Sequence, residues 1–244
     1  MTKIIKSVLA ISTSVLLIVP AINAAEKTLE LDNIENIVAS AGISLVMRQA
    51  DLQSVMVETE QDWDLDHLVF SYEDKTLSVS QEYNFWDFAS RGKLINAFFP
   101  DGKRIQIIIG LPTINSIKLS SGAELDLEGF SGDQLSIQTS SGASAQMANI
   151  AYENIEFSAS SGASISAGGT CTALNADASS GADILATDLI CNTANASASS
   201  GADIDIFANQ SVSASASSGG DVDVYGSPNS VTENESSGGS VQTK

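Results

Sequence analysis

The chain has 244 residues, with 30 acidic and 11 basic side chains and a formal net charge of −19. The bases are segregated, since no Lys or Arg lies between Lys118 and Lys244. Nucleic acids and anionic membrane surfaces are bound by clustered positive charge, so this composition argues against both as partners. Strong acidity is typical of a protein that stays soluble outside the cell.

The first 24 residues are predicted to be a secretory signal peptide. Lys3 and Lys6 precede an apolar run from Ser7 to Val19, and small residues follow it. We expect cleavage after Ala24, no lipid anchor, and no transmembrane segment in the mature chain. Loss of two of the 11 bases leaves 30 acids against 9, a net charge of −21. The predicted location is the periplasm, the cell surface or the extracellular space.

Residues 25–110 are predicted to form an N-terminal β region that begins or caps the fold. Short runs rich in β-branched and aromatic residues alternate there with turn-like breaks. The candidate strands are Thr28–Leu31, Ile43–Met47, Ser54–Thr59, Leu68–Tyr72, Thr76–Gln81 and Arg104–Ile109.

The segment from Asn84 to Pro100 interrupts this β pattern with a concentration of aromatic side chains. Two interpretations stay open: a plug that buries these rings at the end of the fold, or an exposed contact patch for a partner. The aromatic residues are Phe85, Trp86, Phe88, Phe98 and Phe99.

Residues 111–244 contain a repeat marked by the word Ser-Ser-Gly. Successive glycines are 18 to 20 residues apart, a period typical of stacked repeats. They are Gly122, Gly142, Gly162, Gly181, Gly201, Gly219 and Gly238. Apolar residues or Ala alternate with polar residues on both sides of each glycine, which indicates two short strands per repeat. We therefore predict an all-β fold, a single-stranded parallel β-helix with coils of about 20 residues.

Two further expectations follow from this repeat. By alternation, the second Ser of each word, from Ser121 to Ser237, points inward, so we expect a buried column of bonded hydroxyls. Glu233 and Glu235 fall at inward positions of the last coil, where inward charges discourage edge-to-edge polymerisation. Residues 230–244 are therefore predicted to cap the C-terminal end.

Cys171 and Cys191 each lie ten residues before a repeat glycine, and thus at equivalent positions of neighbouring coils. Adjacent strands place such residues within the ~4.4–6.8 Å Cα separation of a disulfide. Export permits oxidation, so we predict a disulfide, with a stacked pair of free thiols as the alternative.

Acidic residues form outward columns in three coils: Asp183, Asp203, Asp205, Asp221 and Asp223. A solvated acidic face is one interpretation. Because Ca²⁺ prefers several oxygen ligands, a calcium site is the alternative, and calcium is the one cofactor considered.

Several stretches resemble a known bacterial family. They are the run Arg104–Leu127, the later Ser-Ser-Gly-Ala words and the run Gly42–Gln49, and the resemblance spans about residues 31–241. The family is the head GIN domain, described as an auto-transporter adhesin. The resemblance implies an exported β-helix and supplies no catalytic residues.

The sequence favours a non-enzymatic envelope or extracellular protein that contacts a protein or glycan on a surface. The alternatives are a glycan-active enzyme using Asp203 and Asp205, a calcium-dependent ligand-binding module, and a lipid- or small-ligand-binding module. His67 is the one histidine of the chain and lies among acids, as a surface residue would. The sequence predicts no oligomeric state.

Overall fold

The computed structural model describes residues 3–4, 25–29, 31, 33–59, 68–81 and 105–244. The aromatic segment, His67 and most of the predicted signal peptide lie outside these ranges. Within them, no helix has the length and hydropathy needed to cross a bilayer. The strands before the repeat are β1 (Lys3–Ile4), β2 (Ala25–Leu29), β3 (Asn36–Ala39), β4 (Ser44–Gln49), β5 (Ser54–Thr59), β6 (Leu68–Glu73), β7 (Thr76–Gln81) and β8 (Gln106–Leu111).

The repeat region continues with ten further strands that wind as a parallel β-solenoid. They are β9 (Ser116–Leu119), β10 (Glu124–Glu128), β11 (Ser131–Ser140), β12 (Ser144–Ser160), β13 (Ser164–Ser179), β14 (Asp183–Ser199), β15 (Asp203–Ser217), β16 (Asp221–Tyr225), β17 (Ser230–Ser236) and β18 (Ser240–Thr243). Each pairs in parallel with a strand about 20 residues away, such as Ser144 with Ser164. The predicted fold class is confirmed.

The Ser-Ser-Gly word forms a tight turn between the two faces of each coil. In the second coil of the repeat, Ser141 and Gly142 have φ values of 54° and 71°, and Ala143 N donates to Ser140 O over 3.2 Å. Two consecutive left-handed residues closed by this hydrogen bond make a type I′ turn. We call the segment before each turn the leading face and the segment after it the trailing face.

The expected buried column of second-serine hydroxyls is wrong. Ser121, Ser141, Ser161 and their later equivalents are exposed, and each has φ between 50° and 57°. Alternation of side chains requires extended backbone, and a left-handed residue breaks that alternation. The turn therefore presents these hydroxyls to solvent. Inside the described coils, Thr139 Oγ1 is the buried side-chain polar atom that lacks a hydrogen-bond partner.

One coil of the solenoid precedes the recognisable repeat. Ser40, Ala41 and Gly42 form the same turn, with φ values of 61° and 72° at Ala41 and Gly42. Their flanking strands β3 and β4 pair in parallel with β9 and β10. This coil was not predicted as part of the repeat because Ala41 replaces the second Ser, and a long insertion separates Gly42 from Gly122.

Antiparallel strands cover the N-terminal end of the solenoid. On the leading face β7 pairs in parallel with β3 and antiparallel with β6, and β1, which lies within the predicted signal peptide, pairs with β6. On the trailing face β8 pairs in parallel with β4 and antiparallel with β5, which pairs with β2. These additions satisfy backbone groups that an open edge would leave unpaired.

The side chains buried inside the solenoid become smaller on one face toward the C-terminal end. On the leading face, early coils bury large side chains such as Ile37 and Phe157, whereas later coils bury alanines such as Ala196. The trailing face of the later coils still buries large side chains such as Ile184 and Ile204. At the C-terminal end Glu233 and Glu235 pair with the inward Ala214 and Ala216. The Glu235 carboxylate accepts a hydrogen bond from Val241 N at 2.6 Å, so this coil ends the apolar interior with a polar contact.

Candidate functional site: an acidic and apolar outer face

The trailing face of three late coils presents a regular grid of outward side chains. Strand β14 contributes Asp183, Leu185 and Ile190, β15 contributes Asp203, Asp205 and Phe207, and β16 contributes Asp221, Asp223 and Tyr225. We call these nine residues the acid–apolar face. Parallel register aligns them into files that run along the solenoid axis, with ~4.8 Å between coils.

The first file of the acid–apolar face is entirely acidic. Asp183 and Asp203 are register partners, as are Asp203 and Asp221. Burial raises the pKa of Asp203, and the carboxylates of Asp183, Asp221 and Asp223 raise it further. Like charges at strand spacing destabilise each other, so the folded chain holds this charge at a cost.

The second file mixes acid with an exposed apolar residue. Burial raises the pKa of Asp205, and the nearby Asp223 carboxylate raises it further, while Lys244 lowers it. Leu185 is the register partner of Asp205 and is 49% exposed. The second file therefore joins the acidic edge to the apolar edge of the same face.

The third file of the acid–apolar face is apolar and aromatic. Ile190 pairs in register with Phe207, and Phe207 with Tyr225. Ile190 is 47% exposed, and both rings are half-buried. A Cβ placed on Gly226 would lie 3.2 Å from Phe207 Cζ, so the ring packs closely on that backbone. Ile190, Phe207 and Tyr225 thus form a supported apolar strip beside the carboxylates.

Lys244 occupies one end of the acid–apolar face. Its ammonium pairs with the Asp223 carboxylate and lies 5.9 Å from the centroid of the Tyr225 ring. The hydrogen bond to Asp223 raises the pKa of Lys244. The Lys244 backbone N donates to Val224 O, which keeps the residue in register. A cation can therefore be held between a carboxylate and an aromatic ring here.

The predicted calcium residues lie together in this face, but they are spread over regular files. In the described ranges, no group of three or more His, Cys, Asp or Glu side chains has a geometry that could hold a metal ion. Calcium binding by Asp183, Asp203, Asp205, Asp221 and Asp223 stays a prediction.

The predicted cysteine pair lies in neighbouring coils, and Cys191 directly follows Ile190 of the acid–apolar face but is buried. Cys171 and Cys191 are register partners of β13 and β14 and are joined by a disulfide, with Cα atoms 4.5 Å apart. Both residues are buried, so the bond links two coils from within.

A second surface feature lies near the N-terminal end, where Arg48 projects from β4. Arg48 pairs with Asp126 at 3.2 Å and with Glu128 at 3.1 Å. An open cleft of 420 Å³ lies beside it, lined by Arg48, Gln49, Ala50, Asp51, Pro112, Glu128 and Gly129. Because the guanidinium already pairs with two carboxylates, this cleft offers little unmatched charge to a ligand.

The acids of this face were predicted from the sequence, whereas its apolar strip was not. Phe207, Tyr225 and Lys244 each lie six residues after a repeat glycine, the position that Arg48 and Glu128 occupy in early coils. Comparison of the sixth residue after each repeat glycine would have shown Phe207 and Tyr225 as neighbours. Ile190 needed the structure, because a register shift between Ala186 and Ile190 moves it into this file.

Fold and face together define an acidic β-solenoid with a regular outer face of aligned acidic and apolar side chains. Residues 33–228 match the family model "Putative auto-transporter adhesin, head GIN domain", so the chain belongs to this family. The predicted family resemblance is confirmed. No curated protein matched the chain.

Solved structures share this fold at low sequence identity. A putative adhesin from Bacteroides fragilis is 17% identical, with a TM-score of 0.77, over 92% of this chain and 99% of that chain. A putative lipid binding protein from Parabacteroides distasonis is 16% identical, with a TM-score of 0.65, over 91% and 97%. A putative adhesin from Parabacteroides merdae is 13% identical, with a TM-score of 0.66, over 91% and 96%. At such identities the likeness concerns the fold alone.

Proposed function

We propose that the protein is an exported, non-catalytic binding module that contacts a protein or glycan on a surface through the acid–apolar face. The observation that carries this proposal is the continuous strip of Ile190, Phe207 and Tyr225 on the outside of the sheet. Exposed apolar side chains aligned in one patch, with a polar rim, are typical of interaction surfaces.

The solenoid supports this role because it holds the face rigidly. Strands β13, β14 and β15 pair over nearly their whole length, and the buried alanines beneath them have few rotatable bonds. A surface ordered before contact loses little conformational entropy on binding. The family description as an adhesin is consistent with a binding role for this chain.

Catalysis at Asp203 and Asp205 has less support than binding. Glycoside hydrolysis uses two carboxyl groups whose environments push their pKa values apart. Here burial raises the pKa of both residues. The same acids recur in the next coil as Asp221 and Asp223, so Asp203 and Asp205 belong to a regular file rather than to one singular catalytic site.

Lipid binding inside the coil also has less support. The structure neighbour from Parabacteroides distasonis is described as a putative lipid binding protein. In this chain the described coils are filled by buried side chains, from Leu45 and Phe157 to Ala196 and Ala214. A lipid would therefore have to bind outside, where the acid–apolar face would repel anionic headgroups.

The test compares two double variants that each remove two exposed apolar side chains. Leu185→Ser with Ile190→Ser changes the acid–apolar face, whereas Leu52→Ser with Met56→Ser changes the N-terminal end. The exported protein is assayed for binding to bacterial cells and a glycan array, and for polysaccharide turnover. We expect binding by the wild-type protein, at least a tenfold loss in the face variant, little change in the control, and no turnover.

Two results would overturn this proposal. One is turnover of a polysaccharide by the wild-type protein. The other is equal binding by the two double variants, with both folded by circular dichroism. Deletion of residues 84–100 tests the second interpretation of the aromatic segment, an exposed contact patch. Loss of binding in that deletion alone would assign the contact to Phe85, Trp86, Phe88, Phe98 or Phe99.

A further inference from the structure

We propose that the partner of the acid–apolar face is a cationic, amphipathic protein segment, one that carries Lys or Arg beside apolar side chains. This inference rests on the proposed function and specifies the chemistry of its partner. It starts from the juxtaposition of two parallel files, the acids Asp205 and Asp223 and the apolar Ile190, Phe207 and Tyr225.

The geometry sets two adjacent requirements on a ligand. Alternate residues of a strand, such as Asp205 and Phe207, lie ~6.8 Å apart along it. A partner that covers both files must therefore present a basic edge and an apolar edge at that separation. An amphipathic helix carries such edges side by side, and three to four coils offer ~15–20 Å of face along the axis.

Charge complementarity favours the cation over other partners. Residues 119–243 contain 15 acidic side chains and no Lys or Arg. Burial raises the pKa of both Asp203 and Asp205, and neighbouring carboxylates raise it further. Asp203 and Asp221 are also register partners, so a bound cation would relieve repulsion between carboxylates that already stack in the folded chain. An anionic glycan or lipid would add to that repulsion.

The chain itself places a cation on this face. The Lys244 ammonium contacts the Asp223 carboxylate and lies over the Tyr225 ring. Lys244 is 43% exposed at its side chain, so it can leave without disrupting buried contacts. Asp203 and Asp205 continue the same chemistry along the axis with no second lysine to pair them. Lys244 therefore acts as an internal occupant that a partner's lysine would displace.

The experiment uses a synthetic helical peptide of about 14 residues made of Lys and Leu, with the leucines at i, i+3, i+4 and i+7. Two control peptides replace every Lys by Glu, or every Leu by Ser. Binding to the exported full chain is measured by fluorescence anisotropy at several salt concentrations. We expect the Lys/Leu peptide to bind at least tenfold tighter than either control, with affinity that falls as salt rises.

Protein variants then locate the site. Asp205→Asn should weaken peptide binding about tenfold, and Asp177→Asn, which removes an acid from the opposite leading face, should not. Lys244→Ala should tighten binding several-fold, because it removes the competitor; a merely structural Lys244 would leave affinity unchanged or reduce it. The inference is overturned if the Glu/Leu peptide binds as well, if Asp205→Asn and Asp177→Asn behave alike, or if Lys244→Ala does not tighten binding.

These outcomes are separable from those of the proposed function. If the Leu185→Ser/Ile190→Ser variant loses binding to cells or glycans while the Lys/Leu peptide does not bind, the face is a contact surface for a different chemistry. If the peptide binds as expected but that variant keeps its surface binding, the proposed function is wrong.

Discussion

Asp203 and Asp221 are register partners on adjacent coils, so two carboxylates point outward one strand spacing apart. Neither has a lysine or arginine among its register neighbours, since Asp183 and Ser240 flank the pair. Because equivalent residues of parallel coils stack, an Asp that recurs in successive coils forms a file of like charges. The chain keeps this file although neutral Ser occupies the same position in earlier coils, at Ser144 and Ser164.

The first prediction concerns the pH dependence of stability. Because the pKa of Asp203 is raised in the folded chain, the folded state binds its proton more tightly than the unfolded state does. The free energy of unfolding contributed by this group therefore rises as pH falls through the raised pKa, and is lost above it. We expect Asp203→Asn to raise Tm at pH 7 by about 1–2 °C, the size of a surface electrostatic effect.

The advantage of Asp203→Asn should shrink as pH falls through the raised pKa, because wild-type Asp203 also becomes neutral there. Asp188→Asn serves as control, because it removes the same charge next to Gly168 rather than next to an acid. Thermal melts at pH 7 and pH 4 check this. A Tm gain that persists unchanged at pH 4, or that Asp188→Asn reproduces, would contradict the electrostatic explanation.

The second prediction concerns the turn at Ser160, Ser161 and Gly162. Ser161 has φ 55°, and L residues other than Asn and Asp adopt this conformation at a cost of about 1–2 kcal/mol. Asn is favoured at this position of a type I′ turn. We expect Ser161→Asn to stabilise the fold by about 0.5 kcal/mol and Ser161→Val to destabilise it by about 1–2 kcal/mol.

Ser160 provides the matched control for this turn. It ends β12, is half-buried and does not have a positive φ. Ser160→Val should therefore cost less than Ser161→Val in chemical denaturation. The reverse order would show that burial, rather than the left-handed backbone, decides which residue each position accepts.

The third prediction concerns the disulfide between Cys171 and Cys191. It closes a loop of 20 residues, for which chain-entropy arguments give a stabilisation of about 3 kcal/mol. Cys171→Ser with Cys191→Ser should lower the free energy of unfolding by about 2–4 kcal/mol. The measurement is urea unfolding with and without reductant, together with a thiol titration of the exported protein. Two reactive thiols in the denatured, unreduced protein would instead support a stacked pair of free cysteines.

The fourth prediction concerns Thr139, which is 2% exposed with its Oγ1 unpaired. It lies inside the coil, where its register partners are Leu119 and Ala159. Val has nearly the same shape and no hydroxyl, so Thr139→Val should stabilise the fold by about 1 kcal/mol. Equilibrium unfolding gives the sign, and Thr139→Ser, which keeps the hydroxyl and loses a methyl, should destabilise. A neutral or destabilising Thr139→Val would mean that the hydroxyl has a partner in solution.

The sequence by itself predicted the repeat, its period and the parallel stacking of its coils. Regular spacing of glycines with alternating apolar residues leaves few architectures other than stacked coils, because each coil must bury its small apolar face against the next. Equivalence in the repeat also placed Cys171 beside Cys191 and aligned Asp203 with Asp221. These predictions needed only the period, which is a property of local sequence.

Only the tertiary structure showed how the chain folds where the repeat is interrupted. Two successive left-handed residues reverse the parity of Ser161, so alternation gave the wrong direction for its side chain. Because Ala41 replaces a Ser, the earlier coil was not predicted as part of the repeat. The antiparallel strands β5 and β6 at the N-terminal end do not belong to the repeat. A register shift brought Ile190 beside Phe207. The turn at Ser161 is local, but the earlier coil, the cap and the register shift depend on contacts between distant residues. A period read along the chain carries no information about where a coil bulges or which strand covers its end.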